Sequence, residues 1–210
     1  THGLESRLLL RTAAGEREVV LALPGRHNAY NALAAATACL ASRVSLDDVA
    51  SGLSAFRGIK GRLQRRAARH GAVLLDDTYN ANPDSVRAGI DVLAATVGKK
   101  VLVLGDMGEI GEMSGQFHDE IGGYAKSQGI DRLLAFGTLS ALAARNFGAG
   151  GEHYEKIEAL IDALDAERVA LAASLGVEVP SFLDNWRRFY GLTGDNAYEM
   201  ISSSTGHQGQ

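Results

Sequence analysis

The sequence predicts an α/β protein, and three stretches carry that prediction. KVLVLGDMGEIGEM reads as a continuous apolar strand, a glycine-rich loop and then a helix from about Gln116 to Ser127; RLLAFG is a second buried strand and TLSALAARNFG a second helix. Strands that alternate with helices imply a parallel sheet joined by right-handed crossovers. Composition agrees, since 46% hydrophobic and 22% charged residues suit a folded chain rather than a disordered one.

The remaining elements follow in order. SRLLLRTAAGEREVVLAL holds two short apolar runs around Ala13, Ala14, Gly15 and Glu16, which reads as a β-hairpin or a pair of edge strands. In LPGRHNAYNALAAATACLAS the apolar residues recur at helical spacing from Ala29, predicting a buried, Ala-rich helix opened by a polar turn. Ser45 and Asp48 have the spacing of a capping box, and Leu46, Val49, Leu53 and Phe56 share one face of the helix behind them. The run Val73 to Leu75 predicts a strand at the edge of the α/β sheet, followed by a polar loop and a helix that Asn82, Pro83 and Asp84 open. A domain boundary is expected near Thr96 to Lys99. From Glu155 to Gly176 the pattern is helical; Pro180-Ser181 opens another helix in FLDNWRRFYG, and DNAYEMIS makes a final short one. Leu171, Leu175, Phe182, Trp186 and Phe189 are placed to supply core contacts there, ahead of a frayed polar tail.

The net charge of −4 argues against a general polyanion binder such as a nucleic-acid protein, though not against a local phosphate site. Apolar runs such as Val101 to Leu104 are too short to enter and span a bilayer. Cys39 is the only cysteine, so no intrachain disulfide and no thiolate metal cage is expected, in keeping with a reducing compartment. The opening THGLESRLLLRTAAGE has no apolar signal core behind a basic leader, which predicts a cytosolic protein.

Four segments carry candidate chemistry. Arg26-His27-Asn28-Ala29-Tyr30-Asn31 places polar side chains and free N–H groups at a helix start, where they suit a purine, a ribose or an anion, or serve only as a cap. Arg62 sits beside Gly61 in a run of cations, Arg57, Lys60, Arg62, Arg65, Arg66 and Arg69, most of which read as a solvated strand face. Asp76-Asp77-Thr78-Tyr79-Asn80-Ala81-Asn82 follows a strand end, where α/β sheets bind ligands; adjacent strand residues point oppositely, so one Asp faces the ligand. A carboxylate there suits ribose hydroxyls or Mg²⁺, and an Asx-rich turn explains Asn82 equally. Gly105 to Gly111 lacks the dinucleotide spacing and is a weak cofactor signal. His118 and His153 have no spaced partner ligands and read as ordinary polar residues, so no metal site is expected. The phosphate-wrapping loop G-x-x-x-x-G-K-[ST] does not occur in the sequence.

LPGRHNAYNALAAA, KGRLQ, LLDDTYNANPDS and VLVLGDMGEIG with its downstream His118 occur in this order, and over about residues 1–160 the chain resembles the Mur ligase family. The resemblance implies an α/β fold with a partial central ATP-binding domain over 1–96, a truncated Rossmann-like parallel sheet over 97–160 and a helical tail over 161–210. It implies an ATP-dependent amide ligase of cytoplasmic peptidoglycan precursor synthesis, which adds D-alanyl-D-alanine to UDP-N-acetylmuramoyl-tripeptide with ATP and Mg²⁺. Carried over by position, His27, Asn28 and Asn31 resemble the adenine-contacting turn, Arg62 the phosphate-contacting arginine with a catalytic role, and Asp77 the ribose-contacting acid. Asn80 and Asn82 line the same cleft. The P-loop half that holds the main Mg²⁺ ligands is absent from this sequence, so this chain alone is expected to show no ligase turnover.

Past residue 160, LDAERVALAASLGVEVPSFLDNWRRFYG and GDNAYEMI resemble the helical domain of the octopine and nopaline (opine) dehydrogenases. A fragment of an opine-type NAD(P)-dependent oxidoreductase is therefore an alternative, against which the missing Gly-rich fingerprint counts. A non-catalytic binding module is another. Unpaired strand edges in a truncated sheet also make self-association an expectation.

Overall fold

The computed structural model describes residues 5–68, 71–174, 176–191, 194 and 199–200. Ser6–Thr12 (β1) and Gly15–Leu21 (β2) pair antiparallel across the Ala13-Ala14 turn, as the two apolar runs predict. Helices Arg26–Ala41 (α1) and Leu46–Ala55 (α2) pack on this hairpin, and Leu10, Val19, Ala36, Leu46, Val49 and Ala50 form one buried cluster. The Ser45 hydroxyl accepts the Asp48 N–H at 3.1 Å and so caps α2. The expectation that α1 is buried is corrected: it buries Ala32 and Ala36, while Leu33 is 54% exposed. Its neighbours β1 and α2 reach one stripe of the helix, and alanine side chains are too short to extend that contact around it.

Gln64–Ala67 (β3) and Val73–Asp76 (β4) make a second antiparallel hairpin. The expected strand at the edge of the parallel sheet is thereby corrected: among the described residues β4 pairs with β3 alone. Its local partner takes up the whole short run, from Ala67 opposite Val73 to Gln64 opposite Asp76, and Val73 and Leu74 stay exposed. The helix Pro83–Ala94 (α3) opens as the sequence predicts. The Asn82 side chain accepts the Ser85 N–H at 2.9 Å, the Ser85 hydroxyl accepts the Asn82 N–H at 3.0 Å, and Pro83 occupies the first turn, where no N–H is missed.

Val101–Gly105 (β5), Arg132–Phe136 (β6) and Gly151–Tyr154 (β7) form a three-stranded parallel sheet in that order, with Ser114–Ser127 (α4) and Ser140–Phe147 (α5) as the crossovers. This is the Rossmann-like alternation. Ile90 of α3 is buried in one cluster with Leu104, Met107, Ile121, Leu133 and Phe147, and Val86, Leu93 and Ala94 pack against it. Helix α3 thus shares its core with the sheet that follows, because the helical spacing of these residues turns them all toward it.

Ile157–Ser174 (α6) is held to the sheet by Arg132, which pairs with both Glu152 and Glu167. Asp165, 8% exposed, accepts the Phe182 N–H at 2.8 Å and an Arg168 N–H at 2.6 Å. It thus joins α6 to Phe182–Tyr190 (α7), which Ser181 caps. The expected core role of Phe182 is corrected, since its ring is 36% exposed and faces the Arg168 guanidinium. Leu175, Arg69, most of DNAYEMIS and the side chains of Leu171, Trp186 and Phe189 lie outside the described residues. No described helix is long and apolar enough to cross a membrane.

Packing of α4 on α5 is close enough that a Cβ on Gly122 would lie 2.0 Å from the Ala143 carbonyl oxygen, whereas a Cβ on Gly52 of α2 meets nothing within 4 Å. Gly122→Ala is expected to destabilise the chain by about 3 kcal/mol or more, and Gly52→Ala to stabilise it by about 0.5–1 kcal/mol. Urea unfolding of the two variants checks both signs.

Candidate functional site

The β3–β4 hairpin places two sequence-distant motifs side by side. Just beyond its ladder the Tyr79 N–H donates to the Gly61 carbonyl at 3.0 Å, and the Leu63 N–H donates to Asp77 Oδ1 at 3.0 Å. Gly61 has φ 73°, and a Cβ there would sit 3.0 Å from the Tyr79 nitrogen, so both the turn and the approach require glycine. Leu63 is also left-handed, with φ 47°, and its side chain is buried. Between these residues Arg62 extends over the Tyr79 ring, with its guanidinium carbon 4.1 Å from the ring centre. Asp77 is half-buried, and its Oδ2 lies 3.4 Å from where a Cβ of Gly89 on α3 would be. Arg62 and Asp77, two of the residues the sequence points to, are thus brought together.

The turn that opens α1 reaches the same side of helix α3, three residues further along it. A Cβ on Gly25 would lie 2.6 Å from the His27 ring and 2.9 Å from Val92 Cγ2, so this turn sits directly on α3. The Asn28 amide donates to the Pro24 carbonyl at 2.7 Å, and Asn31 lies against the Asn28 side-chain oxygen at 3.5 Å. Asn28 and Asn31 thus meet side chain to side chain, with the His27 ring beside Gly25 at the start of the same helix. Among the described residues no hydrogen bond or ion pair joins these three to Arg62 or Asp77. Asn80 turns its oxygen to the Ala81 N–H at 2.8 Å, and the Asn82 oxygen is committed to the α3 cap.

Most of the cationic run behaves as a surface. Arg66 pairs with Asp76 at 2.9 Å, and Arg57 donates to the Ser54 carbonyl at the end of α2. The Thr78 hydroxyl, its N–H and the charges of Arg66 and Lys60 hold the Asp76 carboxyl below the usual carboxylate range despite some desolvation. Of the adjacent pair, Asp76 is therefore the structural acid and Asp77 the one turned toward Arg62's segment. Among the described residues no group of three His, Cys, Asp or Glu is placed to hold a metal ion.

The glycine-rich loop after β5 is pinned where it leaves the strand, at Asp106 and Met107, in a way composition does not reveal. Asp106 accepts the N–H groups of Ser140 at 2.7 Å and Leu139 at 3.1 Å, filling the N-terminus of α5. His118, read as an ordinary polar residue, is fully buried instead: it accepts the Met107 N–H at Nε2, 2.9 Å away, and its Nδ1 lies 2.7 Å from the Ser114 carbonyl. Those partners require a neutral ring protonated at Nδ1. His153 is exposed, with Nε2 2.8 Å from the Gly137 carbonyl. Within the candidate segment 76–82 the sequence gives Tyr79 no role of its own, its one signal being an aromatic residue in an otherwise polar loop.

Residues 61–175 match the family described as "Mur ligase, glutamate ligase domain". The chain belongs to the Mur ligase family. It is 42% identical over 164 residues to the UDP-N-acetylmuramoyl-tripeptide--D-alanyl-D-alanine ligase of Escherichia coli (strain K12), a match that covers 78% of this chain and 36% of that protein. The ligase of the same description from Bacillus subtilis (strain 168) is 35% identical over 143 residues, 67% of this chain and 31% of that one. Among solved structures, MurF from Acinetobacter baumannii aligns with a TM-score of 0.73 at 33% identity, over 81% of this chain and 36% of the other. The chain spans about a third of the length of the curated relatives it matches. The family match ends at residue 175, beyond the start of the stretch that resembles the opine dehydrogenases, and the opine resemblance gains no support from it.

Desolvation opposes the charge of Asp106, but the Ser140 and Leu139 N–H groups outweigh it and hold the carboxyl below its ordinary range. A carboxyl with a lowered folded-state pKa contributes stability above its unfolded pKa and loses it as pH falls through the folded one. The Asp106→Asn variant is therefore expected to be less stable at neutral pH and to lose less further stability on acidification, with Asp76 supplying part of the remaining slope. Urea midpoints between pH 7 and pH 3 test this; parallel curves for the two proteins contradict it.

Proposed function

We propose that this chain is part of an ATP-dependent carbon–nitrogen ligase of cytoplasmic peptidoglycan precursor synthesis, the one that adds D-alanyl-D-alanine to UDP-N-acetylmuramoyl-tripeptide. The relatives' descriptions support the substrates, and the juxtaposition of Arg62 with Asp77 is the observation that carries the nucleotide part. In such a reaction the γ-phosphoryl group of ATP passes to the peptide carboxylate and ADP leaves. The amine of D-alanyl-D-alanine then attacks the acyl phosphate, and a tetrahedral intermediate collapses to the amide with loss of phosphate and a proton.

Each residue has a task that its surroundings permit. Arg62 offers a planar fork of donors to phosphate oxygens, and among the described residues it has no carboxylate partner to give up first. Asp77 spends Oδ1 on Leu63 and keeps Oδ2 for a ribose hydroxyl. His27, Asn28 and Asn31 offer the donors and acceptors that a purine edge needs, while Asn80 and Asn82 border the surface with their oxygens already engaged. Mg²⁺ supplies charge neutralisation to phosphoryl transfer, but Asp76 is committed to Thr78 and Arg66 and Asp77 to Leu63, so these residues do not form a cage for it. The packing of α3 favours a seam between nucleotide-binding and amine-receiving units ahead of β3, near residues 57–61, over one at 96–99.

An ADP titration of the full chain tests the nucleotide surface. Saturable binding is expected, weakened about tenfold or more by Arg62→Ala and by Asp77→Ala, as loss of a hydrogen bond to a charged group implies; failure of the unaltered chain to bind ADP contradicts the reading. With ATP and both other substrates the chain alone is expected to release no phosphate, because its sequence supplies no P-loop lysine.

A further inference from the structure

Tyr79 is 67% exposed, so burial does not explain it, and its hydroxyl has no hydrogen-bond partner among the described residues. What it does have is the Arg62 guanidinium, 4.1 Å from the centre of its ring. The backbone fixes that contact from both sides. Gly61 and Leu63, the neighbours of Arg62, are both left-handed, and each is tied to the 77–79 segment by a hydrogen bond of 3.0 Å. The carboxylates nearby are otherwise engaged, Asp76 with Arg66 and Thr78 and Asp77 with the Leu63 N–H. The guanidinium therefore rests on a ring rather than on an acid. Stacking restrains a guanidinium out of its plane while leaving its in-plane N–H donors free, and those are the donors that phosphate oxygens use.

We propose that Tyr79 is a positioning residue whose ring holds the Arg62 guanidinium, unpaired, in the orientation that receives a phosphate group of the nucleotide. This rests on the nucleotide reading above. The ring face does the work and the hydroxyl does not, so phenylalanine substitutes for tyrosine and an aliphatic residue does not.

Side-chain NMR of arginine-labelled chain, combined with ADP titrations, tests the proposal. In the unaltered chain and in Tyr79→Phe, the Arg62 side-chain protons are expected at ring-shifted, upfield positions and ADP affinity is expected to match. In Tyr79→Leu the upfield shift is lost and ADP binding weakens about two- to fivefold, the worth of an exposed cation–π contact. In an Arg62→Ala background, Tyr79→Leu is expected to cost nothing further. Wild-type affinity in Tyr79→Leu, with Arg62→Ala still impaired, overturns the positioning role while the nucleotide reading stands. A further loss on adding Tyr79→Leu to Arg62→Ala assigns Tyr79 to direct ligand contact and also overturns it. Absence of ADP binding by the unaltered chain removes both.

Discussion

The bond from the Leu63 N–H to the Asp77 carboxylate is the constraint on which the candidate site depends. It joins two segments that the sequence separates by a whole hairpin, at the point where the β3–β4 ladder ends with Gln64 opposite Asp76. With the Tyr79-to-Gly61 bond beside it, it fixes the direction in which Arg62 leaves the backbone. A charge-assisted bond of this kind is stronger than a neutral one, and its acceptor is only half-exposed, so water competes for it less than at the surface. Loss of either partner frees the turn that carries Arg62.

Helix α3 carries the rest of the arrangement. One side meets Asp77 at Gly89 and the Gly25 turn at Val92; another sends Ile90 into the core of the parallel sheet. Both groups of candidate ligand-contacting residues thus lean on an element that the sheet itself immobilises. A surface built on a packed helix holds its geometry better than one built on loops alone.

Elements set by adjacent residues were legible in the sequence. Ser45 and Asn82 cap the helices they were expected to cap, and VLVLG and RLLAF form the parallel strands their continuous apolar runs suggest. What depends on distant partners was not. The GEHY segment is too short and polar to signal β7, and becomes a strand only by pairing with β6. Nothing local to His118 tells that Met107 and Ser114 will enclose it, and nothing in the Ala-rich pattern of α1 tells how little of that helix its neighbours cover. The same division holds for the site. Each motif could be read alone, including the residues that resemble a nucleotide cleft, but the meeting of Arg62, Asp77 and Tyr79 comes from a hairpin register and two left-handed residues that no spacing rule shows.

Amide ¹H–¹⁵N spectra of the full chain during an ADP titration test the central claim most directly. A single nucleotide surface predicts that resonances of residues 26–31, 61–63 and 77–82 move together with one affinity, while the loop 105–111 and α7 stay still. Movement of one of those segments alone, or a response centred on the loop 105–111, contradicts it.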